Sequence, residues 1–241
     1  MRIDTLAIKL RPRSPLEAAD LGVRLCQHAS RDVYKCYLAV AIPVFVLALA
    51  TWEWKEWMPW LVMFCMKPWL DRTILFVLSR AAFGQRTSLG DLWQAQRQVW
   101  WRGLLFSLTI RRLSPWRSFT EPVYQLEGFS AWNGGARIRQ LRKRMMGAAS
   151  MMFSAFAMAE TALNFSVLSL MFWLSPYEIG SNAFTTFEFL TSSLVLPIAY
   201  AIVVLFLEPF FVAAGFGMYL HRRAELEAWD IEQEFRRAFA A

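Results

Sequence analysis

The sequence predicts an all-α polytopic membrane protein with four transmembrane helices in two hairpins and amphipathic interfacial helices on the cytoplasmic side. Three observations predict this class. The 241-residue chain is 56% hydrophobic, which is more apolar than an ordinary soluble domain. Its apolar residues form runs long enough to cross hydrocarbon, which takes about 20 residues. Its basic residues cluster beside those runs, a pattern typical of membrane topology and anionic-lipid contact rather than nucleic-acid binding.

Residues 1–35 are predicted to form a cytoplasmic amphipathic helix. Ser14-Pro15 with Glu17 makes a capping box with proline at the first helical position. Apolar residues recur on one face from Leu16 to Val33, so we expect this face to lie at the inner membrane interface. The segment is charged throughout, so no cleavable signal is expected and the first span would direct insertion.

The four spans are predicted at residues 36–51, 57–78, 145–174 and 190–220. The first is short, and Lys35 could lengthen it by snorkelling. Lysine and arginine alternate between the connections as seven, one, thirteen, none and four. By the positive-inside rule, this alternation predicts that both termini are cytoplasmic. Tryptophans between Trp52 and Trp60 form the aromatic belt expected at the outer end of the first hairpin.

The cytoplasmic parts are predicted to contain further helices. In residues 79–144, an interfacial helix should begin near Ser88 and Asp91, and its apolar face includes Leu89, Trp93, Trp100, Leu104 and Leu108. Ser114-Pro115, Glu121-Pro122 and Gly134-Gly135 are then expected to break the chain. The tail at 221–241 has a helical pattern, and it either folds back on the bundle or docks a soluble partner.

Each half of the chain carries a charged residue followed by proline inside an apolar run. Lys67-Pro68 lies in the second predicted span and Glu208-Pro209 in the fourth. The prolines are candidate helix bends. The halves share this layout without residue identity, so a duplicated fold and an unrelated pair of hairpins both stay open. A repeat of this kind would be parallel.

Four ionisable residues form a candidate intramembrane charge cluster: Lys67, Asp71, Glu160 and Glu208. Charges within spans are costly and mark candidate functional sites. Two readings stay open. In the local reading, Lys67 pairs with Asp71 one turn away and Glu208 lies near the inner interface. In the tertiary reading, Lys67 meets Glu208, Glu160 or both across the two hairpins.

A basic run precedes the third span and is either a topology anchor or a contact for anionic lipid headgroups. Its members are Arg137, Arg139, Arg142, Lys143 and Arg144. His28 and His221 lack acidic neighbours at ligand spacing, and the three cysteines show no paired spacing. No catalytic motif is visible either. We therefore expect no metal, no cofactor and no enzymatic activity.

Both ends of the chain resemble a known family. The C-terminal residues that carry the resemblance are Glu208-Pro209-Phe210, Gly215-Phe216, Tyr219, Arg222-Arg223 and the run from Leu226 to Glu232. The N-terminal ones are Leu10 to Pro15, Glu17, Asp20-Leu21-Gly22, Pro68, Leu78-Ser79-Arg80 and Phe83-Gly84. They resemble a family of uncharacterised bacterial inner-membrane proteins, often encoded beside a MoxR-type ATPase and transglutaminase-like proteins. More distantly, the layout is similar to the membrane domain of some glycerophosphodiester phosphodiesterases. The resemblance implies no catalytic residues.

The expected function is a non-enzymatic subunit or scaffold of the bacterial inner membrane. Its expected partners are membrane lipids and membrane or cytoplasmic proteins, with a homo-oligomer among the options and no nucleic acid. The alternative is a small transporter or lipid-translocating protein whose intramembrane charges line a polar path. An intramembrane lipid enzyme is the least favoured class.

Overall fold

A computed structural model describes residues 14–101, 114–129, 134–174 and 194–227. Within these ranges the regular elements are helical and there is no β-strand, so the all-α prediction is confirmed there. The helices are α1 (Pro15–His28), α2 (Ser30–Ala50), α3 (Met58–Ala81), α4 (Leu89–Gln94), α5 (Arg117–Gln125), α6 (Gly135–Arg142), α7 (Met146–Leu174) and α8 (Val195–Glu227). A 3₁₀ turn at Thr51–Glu53 follows α2, and a π-helical turn spans Arg97–Trp101.

Within the described residues, three helical segments are long and apolar enough to cross a membrane, which indicates a membrane protein. They are Ser30–Glu53, Met146–Leu174 and Val195–Glu227, and they overlap the first, third and fourth predicted spans. The second predicted span coincides with α3, which is not among them and carries Lys67, Asp71 and Arg72 near its centre. All three of these charged side chains are buried against other helices.

Helix α1 begins as predicted but ends earlier and packs differently. The backbone N–H of Glu17 donates to the Ser14 hydroxyl over 3.3 Å, and the helix stops at His28 instead of near Lys35. Its buried face contains Ala18, Ala19, Gly22, Leu25 and Cys26, and it lies along the second half of α8. The predicted apolar face is buried at Ala19 and Cys26 and half exposed at Leu16, and it packs on α8 instead of lying at the predicted membrane interface.

Glycines bring the α1 and α8 backbones into direct contact. A Cβ placed on Gly22 would lie 1.9 Å from the carbonyl oxygen of Ala213. A Cβ on Gly217 would lie 2.3 Å from the carbonyl oxygen of Ala18. Small residues permit this approach, which gains dispersion contacts along the whole crossing.

Both charge–proline steps lie inside continuous helices. Helix α3 runs through Pro68 to Ala81, and α8 runs through Pro209 to Glu227. In the turn before Pro209, the Tyr34 hydroxyl donates to the carbonyl of Phe206 over 2.8 Å. Neither proline ends its helix, so Glu208 lies in the interior of α8 and not at an end.

The segment between the two halves contains a helix at a place where a break was expected. Helix α5 continues through Pro122, so the predicted break at Glu121-Pro122 is wrong. Proline removes one hydrogen bond from a helix interior, but α5 is held against α8 at Gly215, where a Cβ would lie 2.5 Å from Ser118. The predicted start at Ser88 is confirmed by reciprocal bonds with Asp91. Leu104, Leu108 and the tail at 228–241 lie outside the described residues.

Helix α7 is the least packed long helix of the described structure. Only Ala149 and Met152 are buried along its 29 residues. By contrast, α8 contacts α1, α2, α3, α5 and α7 and forms the centre of the bundle. The charges described next therefore meet on the inner side of α8.

Candidate functional site

Five charged side chains from four helices meet in the interior, and we call them the charge cluster. They are Lys67 and Asp71 on α3, Arg117 on α5, Glu160 on α7 and Glu208 on α8. The Nζ of Lys67 lies 2.9 Å from Oε2 of Glu160 and 2.9 Å from Oε2 of Glu208. One lysine thus joins α3 to both α7 and α8.

Arg117 supplies the second cation of the charge cluster. Its Nη2 donates to Oε1 of Glu208 over 2.6 Å, and its Nε lies 2.9 Å from Oδ2 of Asp71. Glu208 therefore binds one cation with each carboxylate oxygen. The charges alternate in space in the order Glu160, Lys67, Glu208, Arg117, Asp71.

Most of the charge cluster is shielded from solvent and lipid. The side chains of Lys67, Glu208, Asp71 and Arg117 are 2–9% exposed, whereas that of Glu160 is 25% exposed. Buried charges are tolerated only with well-placed partners. The alternation gives Lys67, Glu208 and Arg117 two neighbours of opposite sign each, and it gives Glu160 and Asp71 one each. Glu160 is therefore the most exposed member of the charge cluster.

A second buried pair lies beside the charge cluster. The Nε of Arg72 lies 3.6 Å from Oε1 of Glu121, which joins α3 to α5. Gln125 donates to the backbone carbonyl of Arg72 over 2.8 Å. This pair is neutral in sum, so it adds polar contacts between α3 and α5 without changing the local charge balance.

A cavity of about 420 Å³ adjoins the charge cluster. It lies between α3, α5, α7 and α8, and Lys67, Arg117, Glu160 and Glu208 line its polar side. The remaining wall is mainly apolar and aromatic, with Phe64, Phe153, Phe156, Tyr200, Leu207 and Phe211. The Nζ of Lys67 lies 5.6 Å from the centre of the Tyr200 ring and 3.5 Å from its hydroxyl.

The observed arrangement is the tertiary one of the two that the sequence allowed. Lys67 contacts both Glu160 and Glu208, while Asp71 pairs with Arg117. Sequence reasoning missed Arg117, Arg72 and Glu121. Arg117 lies just after Ser114-Pro115, in a stretch interpreted as a break. The imbalance of three candidate carboxylates and one lysine in the predicted cluster could have directed the search to a further basic residue such as Arg117.

A separate polar contact, which we call the exit cluster, joins α6 to the end of α8. Arg137 donates to Glu127 over 2.8 Å and to Glu227 over 2.5 Å. The Tyr219 hydroxyl donates to Glu127 over 2.7 Å, and Arg223 donates to Glu227 over 3.1 Å. Hydrogen bonds from Arg137 to Glu127, and then to Glu227, raise the pKa of its guanidinium. Arg137 therefore stays charged, and its side chain is partly buried against Glu127 and Glu227.

Of the other four predicted lipid contacts, one packs on an aromatic ring and three are exposed. Arg142 stacks on the Trp116 ring at 3.8 Å. Arg139, Lys143 and Arg144 are exposed. Among the described residues, no group of three histidine, cysteine or acidic side chains is placed to hold a metal ion.

No family model matches this chain, and comparisons with curated proteins and with solved structures found no significant similarity. The resemblance noted in the sequence therefore stays a prediction. The features that bear on function are the charge cluster, the cavity beside it and the exposed length of α7.

Proposed function

We propose that the protein is a non-enzymatic integral membrane subunit or scaffold that engages lipid and the helices of other membrane proteins. The observation that carries this proposal is the outer face of α7. This helix is long enough to cross a membrane, yet almost none of it is buried against the rest of the described structure. Exposure alone would not indicate a partner, since lipid tails are as apolar as leucine.

The outer face of α7 repeats large and small residues every seven positions. Four of its large exposed residues recur at this interval: Met151, Met158, Phe165 and Phe172. Small exposed residues follow three of them at a spacing of four: Ala155, Ala162 and Ser169. A seven-residue repeat of this kind suits left-handed packing against a second helix, and small residues let two backbones approach closely in lipid.

The inner side of α7 is fixed by a small number of contacts. Phe153 and Phe156 pack edge-on against Phe211, with ring centres 6.2 and 5.6 Å apart. Glu160 adds the ion pair with Lys67. From Glu160 to Leu174 no residue is buried. The helix is thus oriented by the core while its outer face stays open for another helix.

The proposed topology has four membrane-inserted helices, α2, α3, α7 and α8, with both termini in the bacterial cytoplasm. The alternation of lysine and arginine between connections supports this orientation. Burial of Lys67, Asp71 and Arg72 supports insertion of α3, because intramembrane charges normally face the interior of a bundle and pair there. The exposed Arg139, Lys143 and Arg144 would then contact anionic lipid headgroups. A parallel repeat and membership of the inner-membrane family remain part of this proposal.

Purification in mild detergent tests the partner role. The native chain should co-purify with a second membrane protein or with a second copy of itself, identified by mass spectrometry and by mass in solution. Ala162→Phe should abolish that association, because a large side chain holds the two helices apart. Ala39→Phe on the exposed face of α2 is the matched control and should retain it. A monodisperse monomer without partners, or equal behaviour of both variants, would contradict the proposal.

Transport or lipid translocation is the second candidate function, favoured by the cavity beside the charge cluster. A 420 Å³ space with charged and aromatic walls falls in the size range of small-molecule sites. Reconstituted vesicles would test it through uptake of labelled amphiphiles or through lipid exchange between leaflets. The transport function predicts activity that Glu160→Gln reduces. Equal rates in vesicles with and without protein would exclude it for those substrates.

A further inference from the structure

The charge cluster has a carboxylate at each end. Among the described residues, its three carboxylates contact two cations, Lys67 and Arg117. The alternating order ends with Glu160 on one side and Asp71 on the other, and each of these contacts one cation where Glu208 contacts two. A further cation beside one of these terminal carboxylates would complete the pattern.

Glu160 is the terminal carboxylate with room for that cation. Asp71 is enclosed, with 2% of its side chain exposed, and it does not line the cavity. Glu160 is 25% exposed and lines it. Lys67 donates to Oε2 of Glu160, and no donor among the described residues contacts its Oε1, which can therefore accept from a second group.

The cavity wall indicates what kind of cation fits. Four aromatic residues, Phe64, Phe153, Phe156 and Tyr200, line the space. Ring faces attract ammonium groups and pack against hydrocarbon. They do not provide the several oxygen ligands that a bare metal ion needs. An anion is disfavoured as well, because Lys67 and Arg117 each already contact two carboxylates.

We propose that this cavity binds an ammonium group that carries an apolar substituent, with Glu160 as its acceptor and the aromatic wall around the substituent. The two sources of such a group are the ethanolamine head of a membrane lipid and a free lipophilic amine. This site is independent of the outer face of α7, so loss of a protein partner would leave it intact.

Three probes that share the same apolar substituent and differ in the charge of their end group isolate the role of the charge. The purified full-length protein in maltoside detergent would be titrated with 4-phenylbutylammonium, 4-phenylbutanol and 4-phenylbutyrate. We expect the ammonium to bind at least tenfold more tightly than the alcohol or the carboxylate. Equal affinity for the three probes, or no binding of any, would overturn the proposal.

Variants locate the site. Glu160→Gln keeps the shape and removes the charge, and it should weaken ammonium binding at least tenfold. Ala157→Leu fills the cavity from α7 without changing any charge and should weaken binding of the same probe. Glu56→Gln, an exposed carboxylate outside the cavity, is the matched control and should bind as the native chain does. Unchanged binding in Ala157→Leu would overturn the cavity assignment even if Glu160→Gln were unstable.

Native mass spectrometry then distinguishes the sources. The protein would be mixed with phosphatidylethanolamine or with its N-acetylated form, which lacks the ammonium charge. Retention of the first lipid alone, lost in Glu160→Gln, identifies a lipid headgroup as the ligand. Equal retention of both lipids, together with tight binding of 4-phenylbutylammonium, identifies a free amine.

Discussion

Removing the positive charge of Lys67 should lower the free energy of unfolding by more than any single substitution of Glu160 does. Two unit charges 2.9 Å apart attract by about 6 kcal/mol at an effective dielectric constant of about 20, before desolvation is subtracted. Loss of one partner from a buried pair costs about 3–5 kcal/mol. We expect Lys67→Met to cost about 4 kcal/mol, because it strands Glu160 and takes one of two cations from Glu208.

The double variant measures how strongly the two residues are coupled. Glu160→Gln should cost only about 1–2 kcal/mol, because its side chain is partly exposed and the glutamine still accepts a hydrogen bond from Lys67. In Lys67→Met/Glu160→Gln no carboxylate is stranded at α7. The double variant should therefore cost about 1–2 kcal/mol less than the sum of the single variants.

Unfolding by sodium dodecyl sulfate in mixed micelles gives the free energies for this cycle. A cycle of Lys67→Met with Glu208→Gln, which disturbs Arg117 too, should show coupling of similar sign. The exposed pair Lys55→Met and Glu56→Gln is the matched control and should be additive within about 0.5 kcal/mol. Additivity within the same limit for Lys67 and Glu160 would refute the reasoning, because it would mean that the two charges do not interact.

Three further changes test other contacts. Gly22→Ala places a Cβ 1.9 Å from a backbone oxygen and should destabilise the protein by about 1–3 kcal/mol or more. Gly147→Ala has open space around it and should be neutral or stabilising. A lower melting temperature for Gly147→Ala than for Gly22→Ala would contradict the close packing of α1 on α8. Burial raises the pKa of the Cys26 thiol to about 12, so iodoacetamide at pH 8 should label this residue only after denaturation. Rapid labelling of Cys26 in the native protein would contradict its burial. Arg137→Met leaves Glu127 with Tyr219 and Glu227 with Arg223 as their remaining donors, and it should lower stability by about 1–3 kcal/mol. Exposed Arg139→Met should change stability by less than about 0.5 kcal/mol, and equal effects would exclude a structural exit cluster.

The local features were predictable from the sequence because short-range chemistry determines them. The Ser14 and Ser88 caps need only side chains within three residues, and both are present. The apolar runs around α2, α7 and α8 predicted long helices because their length and composition suffice. The helical class follows from the same property, since a chain in lipid must satisfy its backbone polar groups internally.

The partners of the charges were less predictable because they depend on how distant helices pack. Nothing near Lys67 in the sequence indicates that Arg117 shares its carboxylate. Helix α5 also runs through Pro122, and its contact with α8 at Gly215 lies far away in the chain. A local rule about proline cannot include that contact.

The close crossing of α1 and α8 was missed for a related reason. The amphipathic pattern from Leu16 to Val33 indicated a face for the membrane interface, and Ala19 and Cys26 of that face are in fact buried. The observed contact instead uses Gly22 and Gly217, where small residues matter because of the opposing backbone. Periodicity of apolar residues detects a buried stripe, but it does not distinguish a lipid surface from another helix.

The contact at the centre of the bundle is that of one lysine, Lys67, with carboxylates from two other helices. Solid-state NMR of the protein in lipid, with ¹⁵Nζ-lysine and ¹³Cδ-glutamate, measures this contact as a dipolar coupling. Two N–O distances of 2.9 Å place Nζ of Lys67 about 3.5 Å from the carboxyl carbons of Glu160 and Glu208. The Lys67 signal, assigned by its absence in Lys67→Arg, should dephase strongly and should lose part of that effect in Glu160→Gln and part in Glu208→Gln. A Lys67 signal without such coupling, or one unchanged by both variants, would contradict the account.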